Sequence, residues 1–326
     1  MIKVKFTTAY PYWPFARQTP GQSARWGDYQ FIIDQDIDEC DWWVVFEGLL
    51  KEEKTRCPKN NIILITGEPA SIKFYQKKYT DQFSQIVTCN SSIKHPNIFH
   101  HAQLHPWMVG VGFIPGVKGK FKSPITKDYD ELKNLGSIPK TKLLSVISSN
   151  KISTPGHRLR LAFAEKLSAY FGDRIDIFGR DGNEIADKWD AIAPYKYHIS
   201  IENDNINDWW TEKLADAFLA LTYPFFYGCP NIERYFPAAS LTKIDISKPD
   251  VAIKIIKTAI ENNVYEKSTD QLLAAKNLIL DKYNLFPFIA ELCKNAHSTT
   301  REEITLKPEK NFVTLMHRFR EKINLA

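Results

Sequence analysis

The sequence predicts an α/β fold, and two patterns carry that prediction. Short apolar runs with strand character alternate with amphipathic helical stretches along most of the chain. In the segment from Tyr195 to Pro237, a polar strand end meets a helix N-terminus, the edge at which α/β sheets take up ligands. A basic stretch with Gly and Pro, Val117 to Lys142, separates two such series. It divides the chain into an N-terminal domain of 1–125, a C-terminal domain of 126–300 and a closing tail helix of 301–326.

Composition narrows the function classes. With 326 residues, 44% of them hydrophobic, the chain has material for one large or two ordinary cores. The formal charge of +5 suits a nucleotide-diphosphate ligand or an anionic surface and falls short of a nucleic-acid footprint. Cys40, Cys57, Cys89, Cys229 and Cys293 form no CxxC pair and read as reduced thiols of a cytoplasmic protein. No run approaches the roughly 20 apolar residues of a membrane span. Met1 to Phe6 reads as a first strand rather than a signal peptide.

In the first half, residues 2–6, Phe31 to Ile33 and Trp42 to Phe46 read as buried strands. The aromatic, proline-rich loop Tyr10 to Phe15 follows the first of them, at the ligand-facing edge. Asp34, Asp36 and Asp38 spell D-x-D twice but lie in an acidic turn and read as solvated. Asn61 to Thr66 is a strand ending at Gly67-Glu68-Pro69, with a helix expected over Ser71 to Phe83 and a strand over Gln85 to Cys89. A carboxylate at a buried strand end can be a general base facing a cleft or a helix cap. His95, His100, His101 and His105 lack metal-ligand spacing, and no metal site is expected. Gly110, Gly112 and Gly116 have no strand–turn–helix frame and make no dinucleotide fingerprint.

The second half opens with a strand over Leu143 to Ser148, closed by Ser149-Asn150. A helix carrying Arg158, Arg160, Leu161, Phe163 and Leu167 follows, then a strand, Ile175 to Gly179. Tyr197, Ile199 and Ile201 alternate with His198 and Ser200 in the next strand, which ends at Glu202-Asn203. Asp208 is the expected N-cap of a helix whose first turn holds Glu212 and Lys213, and the strand Tyr223 to Tyr227 runs into Gly228. Backbone N–H groups, the helix dipole and Lys213 together favour a phosphate there, although an ordinary surface Glu-Lys pair fits the same pattern.

The ordered set Asn203, Thr211, Glu212, Lys213, Gly228, Pro230 and Pro237 resembles the donor-binding segment of glycosyltransferase family 10, the α-1,3-fucosyltransferases. Thr66-Gly67-Glu68 is similar to the family's T-G-E, whose Glu is the proposed base. The resemblance covers roughly residues 60–240. It implies the GT-B architecture, two Rossmann-like domains facing each other across a cleft. It also implies an inverting, metal-independent transfer of L-fucose from GDP-β-L-fucose to a glycan hydroxyl, with no cofactor required.

Under the resemblance Glu68 is the base, and Arg160, with Arg158 as the alternative, meets the diphosphate. Glu202, Asn203, Thr211, Glu212 and Lys213 hold the rest of the donor. Trp209 stands where the family usually has Tyr or Phe, which leaves a stacking or shape role only. The partners implied are a sugar nucleotide and an oligosaccharide or glycolipid acceptor, as in a bacterial enzyme of surface-polysaccharide assembly. Another nucleotide-deoxysugar donor and a non-catalytic glycan-binding protein remain the alternatives.

Beyond this segment, Leu241 to Ile246 reads as a strand and Pro249 to Asn262 as a helix. Ser268 to His297 reads as helical with a break near Phe286-Pro287. In the tail, Phe312, Leu315, Met316, Phe319 and Ile323 recur at helical spacing beside basic residues. Such a helix either lies on an anionic membrane surface or packs on the body.

Overall fold

The structure is a computed structural model and describes residues 1–113, 121–122, 125–148, 155–179, 185–294 and 298–313. The chain divides into two units, Met1–Pro106 with Tyr283–Ala326, and Trp107–Lys282. Each is built on its own mainly parallel sheet, the α/β class expected from the sequence.

The first unit contains β1 (Ile2–Thr8), β2 (Arg25–Trp26), β3 (Tyr29–Ile33), β4 (Trp42–Phe46), β5 (Glu53–Cys57), β6 (Ile62–Ile65), β7 (Gln85–Thr88) and β8 (Ile98–His100). Its seven-stranded sheet has the order β2-β3-β1-β4-β6-β7-β8, parallel except for the β2–β3 pair. β4 and β6 are buried at every position, because central parallel strands are covered on both faces. The helix expected over 71–83 is only α1 (Lys77–Thr80). The stretch before it is held in turns, with Ile72 and Lys73 both donating to the Pro69 carbonyl.

The second unit contains β9 (Gly112–Phe113), β10 (Phe121–Lys122), α2 (Tyr129–Asn134), β11 (Lys142–Ile147), α3 (Pro155–Phe171), β12 (Ile175–Phe178), α4 (Lys188–Ile192), β13 (Tyr195–Ile201), α5 (Glu212–Leu219), β14 (Tyr223–Tyr227), β15 (Thr242–Lys243), α6 (Pro249–Glu261), α7 (Val264–Lys267) and α8 (Thr269–Asp281). Its main sheet is parallel throughout, in the order β12-β11-β13-β14-β15. β13 lies at the centre. Tyr197, Ile199 and Ile201 are buried on one face, and His198 and Ser200 are equally buried on the other.

The chain then returns to the first unit through α9 (Leu285–Cys293) and β16 (Glu302–Leu306). α9 drives Phe286 against Phe31 (centroids 4.8 Å apart) and Phe6 (6.0 Å), and β16 pairs antiparallel with β5. The division therefore falls at 106/107 and 282/283, away from the boundaries drawn by composition at 125 and 300. On its other side, Met108 and Val109 donate their N–H groups to Asp216 of the second unit, which draws the 107–111 segment there.

The tail departs from a helix at its start, since residues 302–306 form a strand and Glu309–Phe312 a single 3-10 turn. Leu315, Met316, Phe319 and Ile323 lie outside the described residues, as do Gly116, Ser149 and Asn150. The break expected at Phe286-Pro287 occurs instead between Asp281 and Leu285. Pro287 sits in the first turn of α9, where its missing N–H leaves no helical bond unmade.

Candidate active site

In the second unit the site grows from the end of β13. Glu202 follows the strand, is 1% exposed, and accepts two bonds on Oε1, from Thr211 N–H and Thr211 Oγ1, each 2.8 Å. Thr211 is the N-cap of α5, its hydroxyl accepting from the Lys213 N–H at 3.3 Å. Asp208, expected in that role, has φ +61° and turns its carboxylate to Asn231 Nδ2 (2.9 Å) and the Tyr235 hydroxyl (2.6 Å). The Asn of Gly228-x-Pro-Asn and the Tyr of Tyr-Phe-Pro thus brace the 204–210 loop. Gly228 is glycine for want of room, because a Cβ there would stand 2.7 Å from Glu202 Cγ.

Lys213 Nζ lies 3.3 Å from Glu202 Oε2 and 3.4 Å from Glu212 Oε1, and donates to Thr211 Oγ1 at 3.0 Å. Burial would lower its pKa, but Glu202 and Glu212 outweigh burial and hold it above the ordinary value. It is therefore charged at neutral pH. Lys188 of α4 meets Glu212 at 3.3 Å and Asp216 at 3.4 Å. Burial, opposed by Lys188, raises Asp216 to about 6.

Arg160, on α3, is buried and donates from Nη1 to Asn203 Oδ1 at 3.1 Å. Gly156, one turn earlier, lets α3 lie against the loop, since a Cβ there would be 2.3 Å from the Asn203 carbonyl. Beneath these groups His198 Nδ1 and Ser145 Oγ are 2.8 Å apart, and burial, then Lys188, lower the His198 pKa to about 3. A cavity of about 120 Å³ is lined by Arg160, Lys188, His198, Ser200, Glu212 and Lys213, among others. Three cations and three carboxylates therefore converge on one strand end and one helix N-terminus, a pattern that a diphosphate can enter by exchange with carboxylates.

The first unit has its own cluster at the carboxyl ends of parallel strands. Glu68 is half-buried after β6, and its carbonyl accepts from Asn90 Nδ2 at 3.1 Å. His105 Nε2 donates to the Gly67 carbonyl at 2.7 Å, and Thr66 Oγ1 bonds Thr88 Oγ1 at 2.7 Å. Tyr10 faces this loop, and its phenol is pushed up by burial, then by the charges of Glu47 and Glu68.

Of the residues singled out in the sequence, Arg160, Glu202, Asn203, Thr211, Glu212 and Lys213 come together in the second unit, and Glu68 stands in the first. Arg158 is exposed on α3, outside the cavity lining. Trp209 is 2% exposed and, like Glu202, Asn203 and Thr211, is not among the residues that line this cavity. Asp34, read as solvated, accepts from Thr8 N–H at 2.7 Å and Thr8 Oγ1 at 2.9 Å and closes the first strand–loop junction. Lys188, Asp216, His198 and Glu47 were missed. Asp216 stands four residues after Glu212, which places both on one helix face, whereas Lys188 carries no local signal.

The cluster of the second unit lies where comparison with known proteins finds likeness. Residues 138–267 match the model of the glycosyltransferase family 10 (fucosyltransferase) C-terminal region. That stretch of family 10 likeness holds α3, β13, α5 and β14, and with them the whole cationic cluster. Over 96 residues the chain is 33% identical to the 4-galactosyl-N-acetylglucosaminide 3-alpha-L-fucosyltransferase 9 of Mus musculus, covering 28% of this chain and 26% of that one. Over 77 residues it is 30% identical to the alpha-(1,3)-fucosyltransferase of Helicobacter pylori, covering 23% of this chain and 16% of that one. It thus spans well under two thirds of the length of these relatives. A crystal structure of an alpha1,3-fucosyltransferase with GDP is similar at a TM-score of 0.49 and 18% identity, over 87% of this chain and 92% of that chain. No helix among the described residues is long and apolar enough to cross a membrane.

Proposed function

We propose that the chain is an inverting α-1,3-fucosyltransferase-like enzyme that takes L-fucose from GDP-β-L-fucose to a hydroxyl of a glycan acceptor. The observation that carries the reading is the convergence of Arg160, Asn203, Glu202, Thr211, Glu212 and Lys213 at the end of β13, inside the stretch that matches family 10. A departing diphosphate takes the electron pair of the broken C1–O bond, and its charge must be met. Arg160, Lys213 and the α5 N-terminus supply that charge in this reading, without a divalent ion. Glu202, Glu212 and Asn203 are left to hold sugar or ribose hydroxyls. The acceptor oxygen attacks C1 as its proton passes to Glu68, so a β-linked donor gives an α-linked product.

Bacterial surface-polysaccharide assembly, a cytoplasmic setting and contact of the basic tail with an anionic membrane belong to the same proposal. Calorimetric titration with GDP tests the donor half: binding in the micromolar range or tighter supports it, and no binding to the wild-type chain overturns it. For the base, Glu68→Gln should keep GDP binding and lose turnover at least about a hundredfold. Turnover on GDP-fucose with a panel of β-galactosyl and N-acetylglucosaminyl acceptors should survive a chelator, and its loss would remove the metal-free reading.

A further inference from the structure

The turn after β4 carries a second carboxyl towards Glu68. Glu47 follows Phe46 with a backbone φ of +67°, which few residues with side chains adopt. Its N–H is tied to the Ile65 carbonyl at 2.8 Å, at the end of the neighbouring strand β6. That tie and the left-handed turn place its carboxyl on Gly67. A Cβ at Gly67 would stand 1.0 Å from Glu47 Oε1, so residue 67 is glycine because this carboxyl fills the place of its side chain. Glu47 is 5% exposed, and Oε1 has no hydrogen-bond partner among the described residues.

An ionised carboxylate so buried, with Oε1 short of a donor among the described residues, is poorly stabilised, whereas the neutral acid tolerates burial far better. The charged groups that face it do not reverse this. Glu68, one residue beyond Gly67, opposes ionisation. Lys73 favours it, but its ammonium is also paired with Glu309 at 3.2 Å. Tyr10, Tyr75 and Tyr79, on three other segments, face Glu47 as neutral phenols.

We propose that Glu47 is a positioning residue for Glu68: it keeps a proton at neutral pH, so that the two acids carry one negative charge, and that charge resides on Glu68. The proposal deepens the proposed function and rests on Glu68 being the base. Two neighbouring carboxyls whose charges oppose each other titrate unequally, and the more buried one keeps its proton to higher pH. Glu68, half-exposed, is then left ionised to take the proton of the acceptor hydroxyl, after which both acids are neutral. Burial, then the charge of Glu68, raise Glu47 to about 8 with Lys73 opposing, so the inner acid empties only in alkaline solution.

Infrared titration of the full chain from about pH 7 to about pH 10 reads the proton directly. A protonated-carboxyl C=O stretch should disappear with a midpoint of about 8 and be missing from Glu47→Gln. In Glu68→Gln it should persist with a lower midpoint, because the opposing charge is gone. In turnover, the wild-type profile should bend at the same midpoint, and Glu47→Gln, fixed in the neutral form, should lack that bend. No titrating band in the wild type, a band that survives Glu47→Gln, or a midpoint unmoved by Glu68→Gln overturns the proposal. Should Glu47→Gln fail to fold, the wild-type and Glu68→Gln titrations decide alone. If the band behaves as stated and no sugar is transferred, the proton on Glu47 stands and the transferase reading fails. If Glu68→Gln abolishes transfer and no band titrates, the base stands and the role of Glu47 falls.

Discussion

Thr211 meets Glu202 twice, through its N–H and its hydroxyl, both at 2.8 Å on the same carboxylate oxygen. The same hydroxyl caps α5 and accepts from Lys213 Nζ at 3.0 Å. One side chain thus ties the strand end, the helix start and the cation. Thr211→Val should cost about 1–3 kcal/mol in urea unfolding, from the lost cap and a buried carboxylate short of a donor. Thr211→Ser, which keeps the hydroxyl, should lose less than half of that.

Acid should weaken the second unit through His198. Its folded pKa of about 3 lies below the ordinary 6.5, so the unfolded chain binds more protons between those values. Stability is then full above about pH 6.5 and is lost as pH falls towards 3, by up to about 4 kcal/mol. Asp216 works in the opposite sense: raised from 3.8 to about 6, it favours the folded state more as pH falls through that window. Glu202 and Glu47, also raised, work in the same sense as Asp216, so the His198 contribution is read from the difference between wild type and variant. The urea midpoint of His198→Gln should rise relative to that of the wild type as pH falls from about 6.5 to about 4; a difference that does not change with pH would remove His198 as a source of acid sensitivity.

How far the sequence shows these features depends on how local their causes are. The β13–α5–β14 unit was legible because its strand period, polar strand end and helix start lie within some thirty residues. The cap was misplaced by three residues, from Asp208 to Thr211, because Asn231 and Tyr235 claim the Asp208 carboxylate from a turn further along. β16 was hidden for a similar reason: its partner β5 lies some 250 residues upstream, and nothing in Glu302 to Leu306 names it. Lys188 reaches Glu212 and Asp216 from a separate element, which no spacing announces. Glu47 stands at a strand end as Glu68 does and was missed, because only the approach of its carboxyl to Gly67 shows where it points.

In the first unit, Lys5 is 1% exposed and its ammonium is 2.9 Å from Glu53 Oε2 and 2.8 Å from the Gln35 carbonyl. Removing one member of a buried ion pair strands the other, at about 3–5 kcal/mol. Lys5→Ala should fall in that range, whereas Lys5→Met with Glu53→Gln should recover most of the loss by packing without charge. Thermal unfolding of the wild type, Lys5→Met, Glu53→Gln and the double variant gives the coupling directly.

Two glycines should respond differently to one added methyl group. Gly156→Ala drives a Cβ to 2.3 Å from the Asn203 carbonyl and must shift either α3 or the loop that Arg160 holds. GDP affinity should fall at least about tenfold, since a displacement of this kind moves charge-assisted contacts off geometry. Gly136 has nothing within 4 Å of the built Cβ, and Gly136→Ala should leave affinity unchanged. Equal effects would mean that the approach of α3 to Asn203 is not what shapes the site.

The two arginines of α3 offer the sharpest separation. Arg160 is 7% exposed, lines the cavity and donates to Asn203 at 3.1 Å, whereas Arg158 is exposed outside that lining. A guanidinium that meets a diphosphate through charge-assisted bonds contributes about 1.5–3 kcal/mol, about ten- to a hundredfold in affinity. Arg160→Ala should weaken GDP binding by that factor. Arg160→Lys should recover only part of it, because an ammonium keeps the charge and loses the planar fork. Arg158→Ala, at an exposed position, should change affinity less than about threefold, and added salt should abolish that remainder first. Calorimetry of the three variants in low and high salt checks the order, and a larger loss at Arg158 than at Arg160 would reverse the assignment.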